Sequence, residues 1–151
     1  MGLTLYPADT APEVYDVVWC KWPRREDKLA PGSWVRCVLV VDVRRMVDDR
    51  TDQEYAVITA QYGTGKENLE FHELANNLVI ERHEFRSLGL HKPTVFQMDL
   101  RNRKRLPWCV EYFVPKEYIL SENIIAGRLT ADQRKRFHGC FDARGLKFPL
   151  P

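Results

Sequence analysis

Tyr55-Ala56-Val57-Ile58-Thr59-Ala60-Gln61-Tyr62-Gly63-Thr64-Gly65-Lys66 is the stretch on which the reading of this chain turns. Its first half is β-branched and aromatic, the composition of a strand in a packed sheet. Gly63 and Gly65 then permit sharp turns and let a ligand come close to main-chain N–H groups. The Thr64 hydroxyl and the Lys66 ammonium stand beside those amides, a combination that suits phosphate or another anion. The spacing is not that of a Walker loop, and no Gly-Lys-Ser/Thr follows. An ordinary hairpin turn with an exposed threonine and lysine has the same local sequence.

The neighbouring segments extend the β reading. Residues 34–44 (WVRCVLVVDVR) form the strongest strand pattern, and Val38-Leu39-Val40-Val41 is apolar on both faces, as in a strand covered on both sides. Residues 14–22 (VYDVVWCKW) predict a first strand. They are followed by a charged loop at 23–28 and a Pro31-Gly32 turn. Residues 66–77 predict a long excursion or a short helix, 78–80 a short strand, and 81–88 a possible helical turn. After the turn Gly89-Leu90-His91-Lys92-Pro93, residues 94–100 alternate, with Phe96, Met98 and Leu100 on one face. Arg101-Asn102-Arg103-Lys104-Arg105 predicts a basic turn, and residues 106–114 (LPWCVEYFV) another strand. Thr130-Ala131-Asp132-Gln133 is a capping box that starts a helix over about 131–138, with Phe137 and Phe141 on one face. Gly145 is its stop. The expected fold is mainly β, an α+β chain with a small antiparallel barrel and one late helix. Residues 1–12 read as a loose N-terminal arm and 118–151 as a C-terminal extension.

Length and composition bound the possibilities. The 151 residues fit one domain able to bury roughly two thirds of its unfolded surface. A formal charge of +2 does not by itself announce a nucleic-acid binder, so the local placement of charge carries the weight. No apolar run approaches the ~20 residues of a membrane span, and the N-terminal stretch lacks a signal core, so a cytoplasmic protein is expected. Cys20, Cys37, Cys109 and Cys140 are scattered without CxxC or CxxH spacing. They read as thiols of a reducing compartment, with no metal site and no cofactor.

The chemistry-bearing residues are few. His72, His83, His91 and His138 are too dispersed for a metal cluster, and His91 lies in the most loaded turn, beside Lys92. No serine sits in a G-x-S-x-G context, and nothing lowers a cysteine pKa. Arg36 is an ionised side chain just inside the most apolar strand, where it needs a partner or a polar cleft. It can pair with Glu13 or Asp16 at a barrel edge, or its planar fork can hold two phosphate oxygens. Arg101, Arg103, Lys104 and Arg105 lie beside Trp108, and basic groups near an aromatic ring hold single-stranded nucleic acid.

An ordered set of blocks resembles a known family. Val17-Val18-Trp19-Cys20, then Pro31-Gly32 with Arg36 leading into Val38-Leu39-Val40, then Tyr62-Gly63-Thr64, then Gly89-Leu90-His91-Lys92-Pro93-Thr94-x-Phe96, then Leu106-Pro107-Trp108 is similar to the PemK/MazF growth-inhibitor toxins over about residues 13–114. Cys37 stands where that family usually has proline, and Gly65 where it commonly has Ser or Thr. The resemblance implies a small SH3-like antiparallel β-barrel with appended helices. It implies a homodimeric, metal-independent endoribonuclease that inhibits growth unless a cognate antitoxin protein binds it. By the same resemblance Arg36 and Thr64 are the catalytic pair.

Such a toxin cleaves single-stranded RNA by attack of a 2′-hydroxyl on the adjacent phosphorus. Arg36, the Thr64 hydroxyl and nearby N–H groups can stabilise the phosphorane. Arginine hardly deprotonates, so His91, Glu13 or Asp16 must move the proton. Gly63, Gly65, Lys66, Lys92, Arg101, Arg103, Lys104, Arg105 and Trp108 are the candidate RNA contacts. Two other readings stay open. One is a catalytically inactive protein of this fold that binds RNA or a protein. The other is a peptide-binding module with a groove built from Trp19, Trp22, Trp34 and Trp108.

Overall fold

The computed structural model describes residues 2–23, 30–116 and 123–151. Residues 24–28 of the expected charged loop, and the start of the expected C-terminal extension at 118–122, lie outside the described residues. Among the described residues, seven strands form a single, strongly curled antiparallel sheet, and one C-terminal helix packs on it. The strands are β1 (Asp16–Lys21), β2 (Val35–Val47), β3 (Glu54–Gly65), β4 (Leu78–Ile80), β5 (Thr94–Phe96), β6 (Arg103–Pro107) and β7 (Ile125–Arg128). The main path runs β4-β5-β3-β2-β1-β7, and β6 adds to β3 on the edge opposite β2. Every ladder is antiparallel.

The apolar run of β2 is covered on both sides, as its pattern predicts. Leu39 and Val41 face one cluster with Trp19, Phe96, Met98, Phe137 and Phe141. Val38 and Val40 face a second cluster with Val18, Ile58, Trp108 and Phe113. Val40 pairs with Ala60, but Asp42 pairs with Thr59, so Val41 is an extra residue, a β-bulge. Such a bulge bends the strand and increases its twist, which curls the sheet here.

Helix α1 (Ala131–Ala143) begins at the expected cap. Thr130 Oγ1 accepts from the Gln133 amide, and the Gln133 side chain accepts from the Thr130 amide. It runs five residues beyond 138, because Cys140 and the stacked pair Phe137 and Phe141 extend its buried face and outweigh the cost of Gly139.

Other expectations give way to tertiary constraints. Residues 2–12 are not loose. Ala8 is buried, the Tyr6 hydroxyl donates to the Phe113 carbonyl at 2.8 Å, and Thr10 Oγ1 accepts from Trp108 Nε1 at 3.0 Å. Residues 94–100 are not one strand: β5 ends at Phe96, and Leu100 is 65 % exposed in a short 3-10 turn. Residues 103–105 are strand rather than turn, paired with Gln61, Ala60 and Thr59, so the strand expected at 106–114 lies earlier.

The fully buried Gln61 explains this shift. Its Nε2 donates to the carbonyls of Gln97 at 2.7 Å and Asp99 at 3.1 Å, and its Oε1 accepts from Arg103 Nε. The amide thereby fixes the loop between β5 and β6. Gln61→Leu is expected to leave those groups unpaired and to destabilise the protein by about 1–3 kcal/mol in urea unfolding. Thr130→Ala, which removes only a cap, is expected to cost about 0.5–2 kcal/mol by the same measurement.

Candidate functional site

The ladder between β2 and β3 ends at Val38 and Tyr62. Beyond it, β2 stays with β1, where Trp19 faces Cys37 and Cys20 faces Arg36. β3 instead takes β5 as its partner, with Gly63 opposite Phe96, Thr64 opposite Val95 and Gly65 opposite Thr94. The two strands part there, and a cavity of about 70 Å³ opens between them. It is lined by Arg36, Cys37, Gly63, Thr64, Gly65, His91, Lys92, Lys116 and three others. A Cβ on Gly63 would lie 2.5 Å from the Cys37 carbonyl oxygen and 2.8 Å from its sulfur, so only glycine fits where the strands begin to part.

Arg36 and Thr64, expected together, therefore share one lining. Arg36 is exposed and, among the described residues, has no ion pair or hydrogen bond. It also lines a second, larger cavity of about 360 Å³ with Trp22, Trp34, Tyr62, Arg101 and Lys104. Thr64 is buried, and its Oγ1 accepts from Asn68 Nδ2 at 3.1 Å. That bond occupies an acceptor position and leaves the hydroxyl proton for another partner.

Two lysines near the cavity are tied to carboxylates. Lys92 Nζ lies 2.6 Å from Glu67 Oε1, and Lys66 Nζ lies 2.7 Å from Glu81 Oε1. The Lys92 bond holds the Glu67 carboxyl below its usual range. Gly65 sits under that carboxylate, because a Cβ there would meet Glu67 Oε1 at 2.5 Å. Lys66 does not line the cavity.

His91 and Cys37 feel opposite consequences of one environment. Desolvation, then the Lys116 and Lys92 charges, lower the His91 pKa, so the imidazole is neutral at pH 7. Packing of the Cys37 thiol out of water raises its pKa to about 11, although Lys116 and Arg36 pull the other way. Cys37 is thus a thiol and no nucleophile at neutral pH.

Several expected contacts are elsewhere. Trp108 is 2 % exposed in the second core cluster and offers no ring to a ligand. Trp19 is also 2 % exposed, so a four-tryptophan groove is not formed. Arg103 turns inward to Gln61, with its guanidinium over the Phe141 ring at 5.4 Å. Neither Arg103 nor Arg105 lines the cavities that Arg36 shares; they border a different depression with Asp42, Arg44 and Thr59. Of the basic segment only Arg101, in the 3-10 turn before β6, and Lys104, which also borders that depression, reach the larger cavity. Glu13 and Asp16 pair with Arg128 at the far end of β1 and line neither cavity.

The structure adds residues that sequence patterns did not assign to the site: Lys116, Glu67, Asn68 and Tyr62; Trp22 and Trp34, expected in a peptide groove, line the larger cavity. Lys116 follows a strand-like run with no motif around it. Asn68 is four residues beyond Thr64, a local signal that a polar turn would bond back.

No family model, curated protein or solved structure matches the chain. Among the described residues, no helix is long and apolar enough to cross a membrane.

In an NMR titration the His91 pKa is expected below 6.5, and Lys116→Met should raise it by removing a nearby positive charge. Glu67→Gln should lower it further, because the Glu67 charge favours the imidazolium. Cys37 is expected to alkylate slowly at pH 7.5 and faster as pH approaches about 11.

Proposed function

We propose that this protein is a metal-independent endoribonuclease of the PemK/MazF kind, cutting single-stranded RNA, and that its curled sheet is the SH3-like barrel of those toxins. The observation that carries this reading is the placement of Arg36. It is a cation without a partner among the described residues, and it stands where a small polar cavity with Thr64 and His91 meets a larger aromatic and basic one. A phosphodiester needs both: a place for the reacting phosphate and a place for the strand that leads to it.

The reaction follows from these groups. The 2′-oxygen bonds to phosphorus while the bond from phosphorus to the 5′-oxygen breaks, giving a 2′,3′-cyclic phosphate and a 5′-hydroxyl. Neutral His91 takes the 2′-proton, which its lowered pKa allows at pH 7. Glu13 and Asp16, the other candidates, are too far along β1 to do so. Arg36 donates to the phosphorane oxygens, and the Thr64 hydroxyl, held by Asn68, adds a neutral hydrogen bond. The leaving 5′-oxygen takes a proton from an ammonium, and Lys92 and Lys116 both line the cavity. Lys92 must first exchange Glu67 for phosphate.

The toxin reading brings protein partners with it, an antitoxin and a second copy of the chain. Leu3 and Val47, 43 % and 57 % exposed, border a cavity of about 540 Å³ with Leu5, Tyr55 and Val57 at the end of the long β2–β3 hairpin. That surface, apolar but edged by Asp48, Asp49 and Arg50, is suited to a protein contact. Light scattering at micromolar concentration is expected to give about twice 17.7 kDa.

Arg36→Ala, checked for folding by circular dichroism, is expected to abolish cleavage of single-stranded RNA in EDTA. Cutting at the wild-type rate by that variant would refute the proposal. Thr64→Ala is expected to slow cleavage about 10- to 100-fold, the loss of one hydrogen bond worth ~1.5–3 kcal/mol. The rate should rise with pH through an inflection below 6.5 as His91 loses its proton, and that limb should vanish in His91→Gln. A wild-type protein that binds RNA but never cuts it would instead favour an inactive RNA-binding member of the same fold.

A further inference from the structure

The larger cavity contains a feature that the cleavage chemistry does not use. Trp34 is 69 % exposed, at the head of β2 and two residues from Arg36. Large aromatic rings carry much apolar surface, and leaving one in water is costly unless something covers it. Trp34 shares the cavity with Trp22 and Tyr62, whose ring centroids are 5.4 Å apart and tilted by 50°. The Lys104 ammonium stands 5.9 Å from the centre of the Trp22 ring. Arg36, Arg101 and Lys104 supply the rim, and among the described residues no carboxylate lines the cavity.

We propose that this cavity is a base subsite, in which the nucleobase next to the phosphate on Arg36 stacks against Trp34. Trp22 and Tyr62 close the side, and Lys104 and Arg101 hold the flanking backbone. The proposal rests on the RNA reading above. An all-cationic rim around aromatic faces matches a strand of negative phosphates and flat bases, and it does not match an apolar or basic peptide. A volume of about 360 Å³ suits one nucleotide. A base in a duplex cannot offer its face, so the subsite accepts single strands only. Arg36 borders both cavities and so fixes which nucleotide is read: the one adjoining the scissile phosphate.

The test uses a fully 2′-O-methylated RNA oligonucleotide, which binds but has no free 2′-hydroxyl to attack. Titration into the full-length wild type is expected to quench tryptophan fluorescence, and Trp34→Ala should weaken binding roughly 5- to 100-fold and remove most of the quench. Because Trp34 is exposed, the variant should melt at the wild-type temperature; Trp34→Phe, which keeps a ring, should recover much of the affinity. A scan of single abasic positions should find one that weakens wild-type binding but adds nothing in Trp34→Ala. Equal affinity of Trp34→Ala and wild type, or abasic costs that are the same in both proteins, would overturn the subsite. If Trp34→Ala binds and cuts RNA normally, the subsite falls and the cleavage proposal stands. If the wild type stacks the methylated strand but never cuts an unmodified one, the cleavage proposal falls and the subsite stands. Binding of no RNA at all removes both.

Discussion

Strand β3 must satisfy three neighbours along its twelve residues, and the rest of the molecule is arranged by how it does so. Its first part pairs with β2 on one side and β6 on the other, and its last three residues pair with β5. A backbone amide or carbonyl buried without a partner is expensive, so a buried strand edge needs a continuous set of partners. Around Tyr62 and Gly63 one edge of β3 passes from β6 to β5, while β2 leaves the opposite edge. The small cavity is the space left where β2 no longer follows. Its lining is therefore set by main-chain pairing, and the side chains of Arg36 and Thr64 meet because two ladders end side by side.

Much of this is legible in the sequence, and the reasons for the rest are physical. Val38-Leu39-Val40-Val41 can only be a strand covered on both faces, and the Thr130 capping box marks a helix start. The nearness of Arg36 and Thr64 follows from two strand ends bounded by glycine turns. What composition hides is the direction of individual side chains. Residues 101–105 look like one basic patch, yet pairing with β3 makes residues 103–105 a strand and sends alternate cations to opposite sides. Trp108 looks like a stacking surface beside them, but it fills the core under the N-terminal segment, with Thr10 satisfying its indole N–H. The packing of that segment is invisible locally, because it depends on contacts more than a hundred residues away, such as Tyr6 to Phe113.

Charge is distributed with the same economy. Glu67 and Glu81 neutralise Lys92 and Lys66, and Asp16 neutralises Arg128. The cations lining the two cavities that share Arg36 and having no such carboxylate among the described residues, Arg36, Arg101 and Lys104, are the ones a polyanion would meet first. With an overall charge of only +2, this local imbalance is the available electrostatic guide to the site. It coexists with a neutral imidazole because desolvation and nearby ammonium groups act on His91 in the same direction.

The single extra residue in β2 has a meaning for the history of such a chain. Pairing on either side of Val41 differs by one: Val40 faces Ala60 and Asp42 faces Thr59. Losing Val41 would leave both pairings intact and the following Val43 on its present face, while straightening the strand. Insertion or deletion of one codon at this position would thus change curvature without scrambling register, whereas the same change elsewhere in β2 would turn every later side chain to the wrong side. A lineage could change the curvature of this sheet in one step with its register kept, at the cost of the buried Val41 side chain.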